Sequence, residues 1–395
     1  MSRLRPAFVI FAAATLQGFA FTLVPALATV FSAAPYAIDA SAFGSLFLAL
    51  TLGAIAAAVT TPLLARRFGM LGVLRFGVAA NIAALAALIA STALGSGTAY
   101  ALLLADTTAL GIGFGLSVSA INELAATLSN DATRSITVAN VLIGLGTALT
   151  PLFIGTLILR GMWPLWPALL VAGFAGVLVG SMGWTAQRSA SRPSGAAHVP
   201  AQLVLFAVAA LLYAFCEGAF SSWATSFVHD DRRFSLETGE RALAGFWFAL
   251  TGTRALLAVV PIRAAATKLA FVFFPLTIAV TFLLLPTWTS PTGLIFGFVA
   301  GGVACSIVFP YAVSLALAAL PGDADRTAAV MVAALITGEG IGTYLMGVLR
   351  TNAGLSLTQI YRVSACVAVT VAIAALLAVK MAPQHSEPAP RRGGS

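Results

Sequence analysis

Charge is scarce in this chain. Asp, Glu, Lys and Arg make up 9% of its 395 residues, where soluble domains carry about 25%, and the mean hydropathy is +0.99. A water-soluble fold of this length cannot hide so much apolar surface, and that class is excluded. Cysteine is equally thin. Cys216, Cys305 and Cys366 all fall inside apolar runs, which leaves no disulfide framework or metal-ligand spacing and reads them as small core residues. His198, His229 and His385 stand far apart in loops or the tail, again without metal spacing. Neither a Gly-x-Ser-x-Gly elbow nor a Walker phosphate loop is present, so the sequence points away from an enzyme, from a cofactor or metal, and from ATP-driven pumping by this chain alone.

What the chain does have is apolar runs, each near the roughly 20 residues that cross a hydrocarbon core. They predict twelve transmembrane helices at 6–32, 41–65, 73–92, 98–128, 136–159, 163–185, 200–226, 241–262, 269–287, 292–319, 327–349 and 358–380. Met1 to Pro6 followed by the first run imitates a secretory signal, but the run is about twice a normal signal core, and it reads as a retained helix. The pI near 10.0 and net charge of +8 come from basic residues scattered singly or in pairs over short loops, a pattern that orients a membrane protein and gives no nucleic-acid surface. With the N-terminus inside, fourteen basic residues are cytoplasmic and six external, Arg254 lying within a helix, which accounts for all 21. That bias places both termini in the cytoplasm and the chain in the inner (plasma) membrane.

Between the sixth and seventh runs lies a polar stretch, Gln187-Arg188-Ser189-Ala190-Ser191-Arg192-Pro193-Ser194-Gly195, with linker composition. It divides the chain into a six-helix bundle at 1–186, a cytoplasmic linker at 187–199, a second six-helix bundle at 200–381 and a disordered tail at 382–395. Internal matches support two halves: Phe47-Leu48-Ala49-Leu50-Thr51 aligns with Trp247-Phe248-Ala249-Leu250-Thr251, and Gly144-Leu145-Gly146 with Gly338-Glu339-Gly340. Parallel repeats of this kind surround a central pathway in transporters.

A charge inside a bilayer costs about 2.5–3.5 kcal/mol on insertion scales, so each embedded one is a functional hypothesis. Asp106, Glu123, Glu217, Arg254 and Glu339 fall within predicted helices. Arg254 lies thirteen residues past 241 and Glu339 twelve past 327, both about 18–20 Å deep and near the midplane, where such transporters bind substrate. Both also admit a structural reading as an ion pair or hydrogen-bonded anchor. For Glu123 and Glu217 that structural reading weighs more, because groups near a helix end bond neighbouring helices. The glycine strings Gly111-Ile112-Gly113-Phe114-Gly115 and Gly144-Leu145-Gly146 lie inside bilayer-length helices, so they serve close helix contact and not a nucleotide. Pro151, Pro261 and Pro310 interrupt helices, where a freed carbonyl can face a cavity or a kink can serve packing alone.

On the seventh and eighth helices the spacing Tyr213-x3-Glu217-x5-Trp223, followed by Phe246-Trp247-x6-Arg254, resembles the fucose:proton symporter family of the major facilitator superfamily. The string Ala304-Cys305-Ser306-Ile307-Val308-Phe309-Pro310, Asn122 on the fourth helix and Gly144-x-Gly146-x4-Pro151-x3-Gly155 on the fifth agree with it. The resemblance implies the major facilitator fold, an all-α membrane protein of two pseudo-symmetric six-helix bundles. Departures limit the rest. The fucose branch has an acid on its first helix and a Glu four residues before the Asn, where this chain has Gln17 and Val118. The loop at Leu64-Ala65-Arg66-Arg67-Phe68-Gly69 keeps the arginines of the superfamily motif without its Asp.

The expected function is therefore a secondary active transporter that moves a small solute by alternating access, coupled to protons and taking up a sugar or other small polar metabolite. Expected solute-binding residues are Gln17, Asn122, Asn140, Tyr213, Glu217, Trp223, Trp247, Arg254 and Tyr311, with Asp106, Glu123 and Glu339 for the proton. Arg254 would attract an anionic or hydroxyl-rich group, and Trp223, Trp247 and Tyr311 would offer aromatic faces. Expected partners are the solute, protons and lipid, with the chain monomeric. Three alternatives stand beside this: a proton-antiport exporter of a drug or hydrophobic metabolite, a passive uniporter, and a receptor or scaffold that does not transport.

Overall fold

Within lipid a backbone can satisfy its polar groups only along helices or in a closed barrel. This chain takes the first route: in the computed structural model, which describes residues 4–129, 131–184, 200–259, 264–320 and 324–381, every regular element among the described residues is helical. The linker at 187–199, the tail at 382–395, Pro261, His198 and His385 lie outside the described residues.

The first predicted helix is in fact three pieces, α1 (Leu4–Phe21), α2 (Leu23–Ala26) and α3 (Ala28–Ser32). Pro25 explains the interruption, since it has no N–H for the carbonyl of Phe21. The second and third predicted helices form one hydrogen-bonded run, α4 (Ala40–Ser91), broken only where Gly69 adopts φ 71°, ψ 168°. That left-handed conformation favours glycine. It turns the chain sharply just after Arg66-Arg67-Phe68. Then follow α5 (Ser96–Ala126), α6 (Ala132–Leu159) and α7 (Leu165–Gly180).

After the linker come α8 (Ala201–Ser226), continued by a π-turn at Phe227–Asp231, α9 (Leu236–Val259), α10 (Ala264–Leu284), α11 (Pro291–Ser306), α12 (Val308–Ala319), α13 (Ala324–Asn352) and α14 (Leu357–Met381). The predicted helix at 292–319 is thus split at Ile307, three residues before Pro310. Helix starts are capped as the sequence dictates. Asp39 accepts from Ala42 N at 2.8 Å, Asp131 from Arg134 N at 2.9 Å and Ser290 from Gly293 N at 3.1 Å, each cap contributing about 1 kcal/mol.

Eight helices among the described residues are long and apolar enough to cross a membrane. Exposed Phe273, Val280 and Leu283 on α10 and Val369, Ile373 and Leu377 on α14 give these helices apolar outer faces, as lipid contact requires. The chain is a multi-pass membrane protein.

Packing sets where a pathway can run. Within residues 4–184, α1 packs on α5, α6 and α7, and α4 on α5 and α7; within 200–381, α8 packs on α13 and α14, α9 on α11, and α10 on α14. The strongest contacts between the two sets are α4 with α13 and α6 with α9. Both lie at one end of the molecule. Ser41 N donates to Thr351 Oγ1 at 2.9 Å, Phe43 meets Trp223 edge-on at 5.2 Å, and a Cβ on Gly44 would stand 3.0 Å from the Tyr344 carbonyl oxygen. On the other seam, Gly155 of α6 lies against the side chain of Glu240 on α9. The loops at 33–39, 160–164 and 232–235 mark this closed end.

Candidate functional site

Two prolines supply the site with free carbonyls. Pro310 cannot donate to Ser306 O, four residues earlier. Arg254 Nε takes that carbonyl at 3.0 Å. The hydroxyl of Tyr213 donates to the adjacent carbonyl, Cys305 O, at 2.7 Å, and accepts from Arg254 Nη2 at 3.2 Å. One helical turn along α8, Glu217 sets Oε2 3.7 Å from the same Arg254 nitrogen, an ion pair without a hydrogen bond. The spacing Tyr213-x3-Glu217 therefore puts both side chains on one face of α8, against the helix break that Pro310 creates. The first half uses the same device. Pro151 frees Thr147 O, and Thr22 Oγ1 donates to it at 2.9 Å.

Glu217, Arg254 and Thr147 stand on the wall of a cavity of about 430 Å³, whose polar lining also includes Asn140, Thr251 and Glu339. It lies between α6, α9 and α13, toward the end opposite the closed seams. A second, apolar chamber of about 40 Å³ continues from it toward the closed end, past Pro25 and Phe47. Phe21, Phe114, Trp247, Ile336 and Glu339 line both spaces. Phe21 lies 4.8 Å from Phe114 and 5.9 Å from Trp247, ring centre to ring centre. Indole Nε1 of Trp247 is buried and has no hydrogen-bond partner.

Of the residues expected to bind solute, the structure brings Asn140, Glu217, Trp247 and Arg254 together around the large cavity, with Glu339 of the proton set. Tyr213 stands behind Arg254 as its support. Asn122 reaches the cavity through Asn140, whose amide donates to Asn122 Oδ1 at 2.9 Å. The others sit elsewhere. Gln17 is fully buried and accepts from Asn81 Nδ2 at 2.7 Å, tying α1 to α4. Trp223 is buried near the closed end, donating Nε1 to Thr343 O at 3.2 Å. Tyr311, Glu123 and Asp106 line neither space; Asp106 is buried on α5, and its Oδ2 has no hydrogen-bond partner.

The structure adds Thr147, Thr251 and the Phe21–Phe114 pair. Apolar helices give no signal that would separate those aromatics from lipid-facing ones. Glu240 was outside the expected set for a simpler reason. A helix start at 241 leaves it in a loop, whereas α9 begins at Leu236 and buries it.

A multi-pass helical protein with a polar cavity closed at one end is the class that fold and site define. No protein-family model matches the sequence, and no curated protein is recognisably similar to it. Solved structures do match over nearly the whole chain. A D-xylose-proton symporter aligns with TM-score 0.73 and 16% identity, covering 96% of this chain and 98% of that one. The nucleoside transporter NupG, as its D323A mutant, aligns with TM-score 0.75 and 10% identity, covering 95% and 99%. A partially occluded, inward-open conformation of the xylose transporter XylE from E. coli aligns with TM-score 0.72 and 13% identity, covering 98% and 99%. These likenesses show the fold, which this chain shares with sugar and nucleoside transporters.

Proposed function

We propose that this protein is a secondary active transporter that carries a neutral, hydroxyl-bearing small solute by alternating access, with Glu339 exchanging the coupled proton. In this reading the chain forms twelve spans in two bundles, 1–186 and 200–381, joined by a cytoplasmic linker at 187–199. The tail at 382–395 and the N-terminus lie in the cytoplasm. The state described is then inward-facing: the α4–α13 and α6–α9 seams close the outer end, and the cavity looks inward.

The observation that carries the reading is the Glu217–Arg254 pair and Glu339 on one wall of a cavity closed at one end. A volume of about 430 Å³ falls within the roughly 300–1,000 Å³ of small-molecule sites. Charge narrows the cargo. Arg254 is matched by Glu217 and already donates to Ser306 O and the Tyr213 hydroxyl. With Glu339 protonated the wall carries no net charge, so an anion finds no excess positive site. Asn140, Thr147 and Thr251 offer the neutral hydrogen bonds that a polyol or sugar needs, and the aromatic rings offer faces to stack on a ring. Proton antiport of a more hydrophobic solute is the second reading, favoured by the Phe-rich small chamber.

Proteoliposomes with an imposed pH gradient test both readings. Uptake in the direction of proton flow supports symport, and movement against it supports the exporter. Glu339→Gln should abolish pH-driven accumulation while leaving solute-for-solute exchange. Accumulation at the wild-type rate in that variant would remove Glu339 from the mechanism.

A further inference from the structure

Glu240 is 2% exposed, and neither carboxyl oxygen has a hydrogen-bond partner. It sits in the α6–α9 seam. A Cβ on Gly155 would stand 2.8 Å from its Cγ, so the absence of a side chain at Gly155 is what lets α6 close over it. From α8 the facing group is the hydroxyl of Thr225, 1% exposed, a neutral group that approaches the carboxyl without a well-formed hydrogen bond. Among the described residues no cation pairs with this carboxyl. On α9 itself, Glu237 and Arg241 pair with each other on the exposed face, and Arg160 at the end of α6 is exposed. In the adjoining π-turn, Asp231 binds Arg350 and Asp230 lies among His229, Arg233 and Arg350. Arg232 donates to the Pro286 and Trp288 carbonyls, and α11 carries no Asp, Glu, His, Lys or Arg.

An isolated buried carboxylate is among the costliest groups a protein can hold, whereas its protonated form is tolerated. We propose that Glu240 is a second proton-binding site, a latch that allows the α6–α9 seam to close only when its carboxyl has taken a proton from the outer solution. Glu240 lines neither cavity, so the proton it binds when the seam opens to the outside returns to the same side and is not carried across. The latch sets the balance between outward- and inward-facing states, and Glu339 handles coupling. This inference rests on the reading that the seam opens during transport.

Pulsed electron spin resonance on the full chain in lipid vesicles tests it. Spin labels go on Leu159→Cys and Glu237→Cys, both exposed ends of the seam, in a Cys366→Ser background; Cys216 and Cys305 are buried. Raising the pH from about 5.5 to about 8.5 should convert short distances to long ones, by up to about tenfold in population per pH unit. Glu240→Gln should hold the short distance throughout, and Glu339→Gln should retain the pH response. Two distances whose pH response survives Glu240→Gln, or that do not respond to pH in the parent, overturn the latch and leave alternating access standing. One unchanging distance across pH and across added sugars and nucleosides overturns both.

Discussion

Removing Arg254 should damage the protein more than removing Glu217, and removing both should cost less than the two losses added together. Arg254 holds three partners: Ser306 O at 3.0 Å, the Tyr213 hydroxyl at 3.2 Å and Glu217 at 3.7 Å. Arg254→Gln leaves a carboxylate 11% exposed in its side chain without a cation, and returns Ser306 O to an unmet state that Pro310 makes permanent. Breaking a fully buried pair costs about 3–5 kcal/mol. The Arg254 side chain is 34% exposed to the cavity, and exposed pairs contribute about 0–1 kcal/mol. An intermediate charge loss plus one unmet carbonyl places Arg254→Gln at about 2–4 kcal/mol. Glu217→Gln keeps the Arg254 bonds to Ser306 and Tyr213 and should cost about 1–2 kcal/mol. In the double variant the coupling should recover about 1–2 kcal/mol. Reversible unfolding in mixed micelles measures all four corners of the cycle. Additivity within about 0.5 kcal/mol, or equal costs for the two single variants, would refute the view that these groups form one unit.

Tyr213→Phe removes the donor to Cys305 O and should cost about 1–3 kcal/mol of stability in the same assay while leaving solute exchange measurable. Trp247→Leu removes an aromatic face shared by both chambers, and the apparent solute affinity in exchange assays should fall by about threefold to tenfold. Gly44→Val crowds the Tyr344 carbonyl, so the closed end, outer in the proposed orientation, should fail to close. Impermeant thiol reagent added outside should then label a Ser222→Cys reporter, 3% exposed in this state, faster than in the Gly44 parent carrying the same reporter, both in a Cys366→Ser background.

Much of this architecture is legible in the sequence because lipid imposes a blunt constraint: long apolar runs must be helices, and charges within them must find partners. That ground picks out five charges, of which Glu217, Arg254 and Glu339 line the cavity and Asp106 and Glu123 do not. Prolines carried a sharper message. Pro151 and Pro310 each free one carbonyl, and each such carbonyl is taken by a side chain distant in sequence, Thr22 at the α1–α2 break and Arg254 on α9. Contacts across helices were not legible. Gln17 is polar and on the first helix, but its partner Asn81 is 64 positions away, and nothing local indicates that the pair faces the packed interior and not the cavity. The same holds for Trp223 and Trp247, alike in composition, of which one seals the closed end and the other lines both chambers. Boundaries mattered as well: moving the start of one helix from 241 to Leu236 turned Glu240 from a loop residue into a buried seam residue.

The most direct test of transport itself is proton movement driven by solute. Purified protein in liposomes, with a pH indicator outside, is given pentoses, hexoses, polyols and nucleosides in turn with no imposed gradient. Proton-coupled uptake predicts that at least one of these neutral solutes alkalinises the outer medium, and that protein-free liposomes and Glu339→Gln show no such change. If none of them moves a proton, or if the wild type and Glu339→Gln alkalinise the medium equally, the account is contradicted.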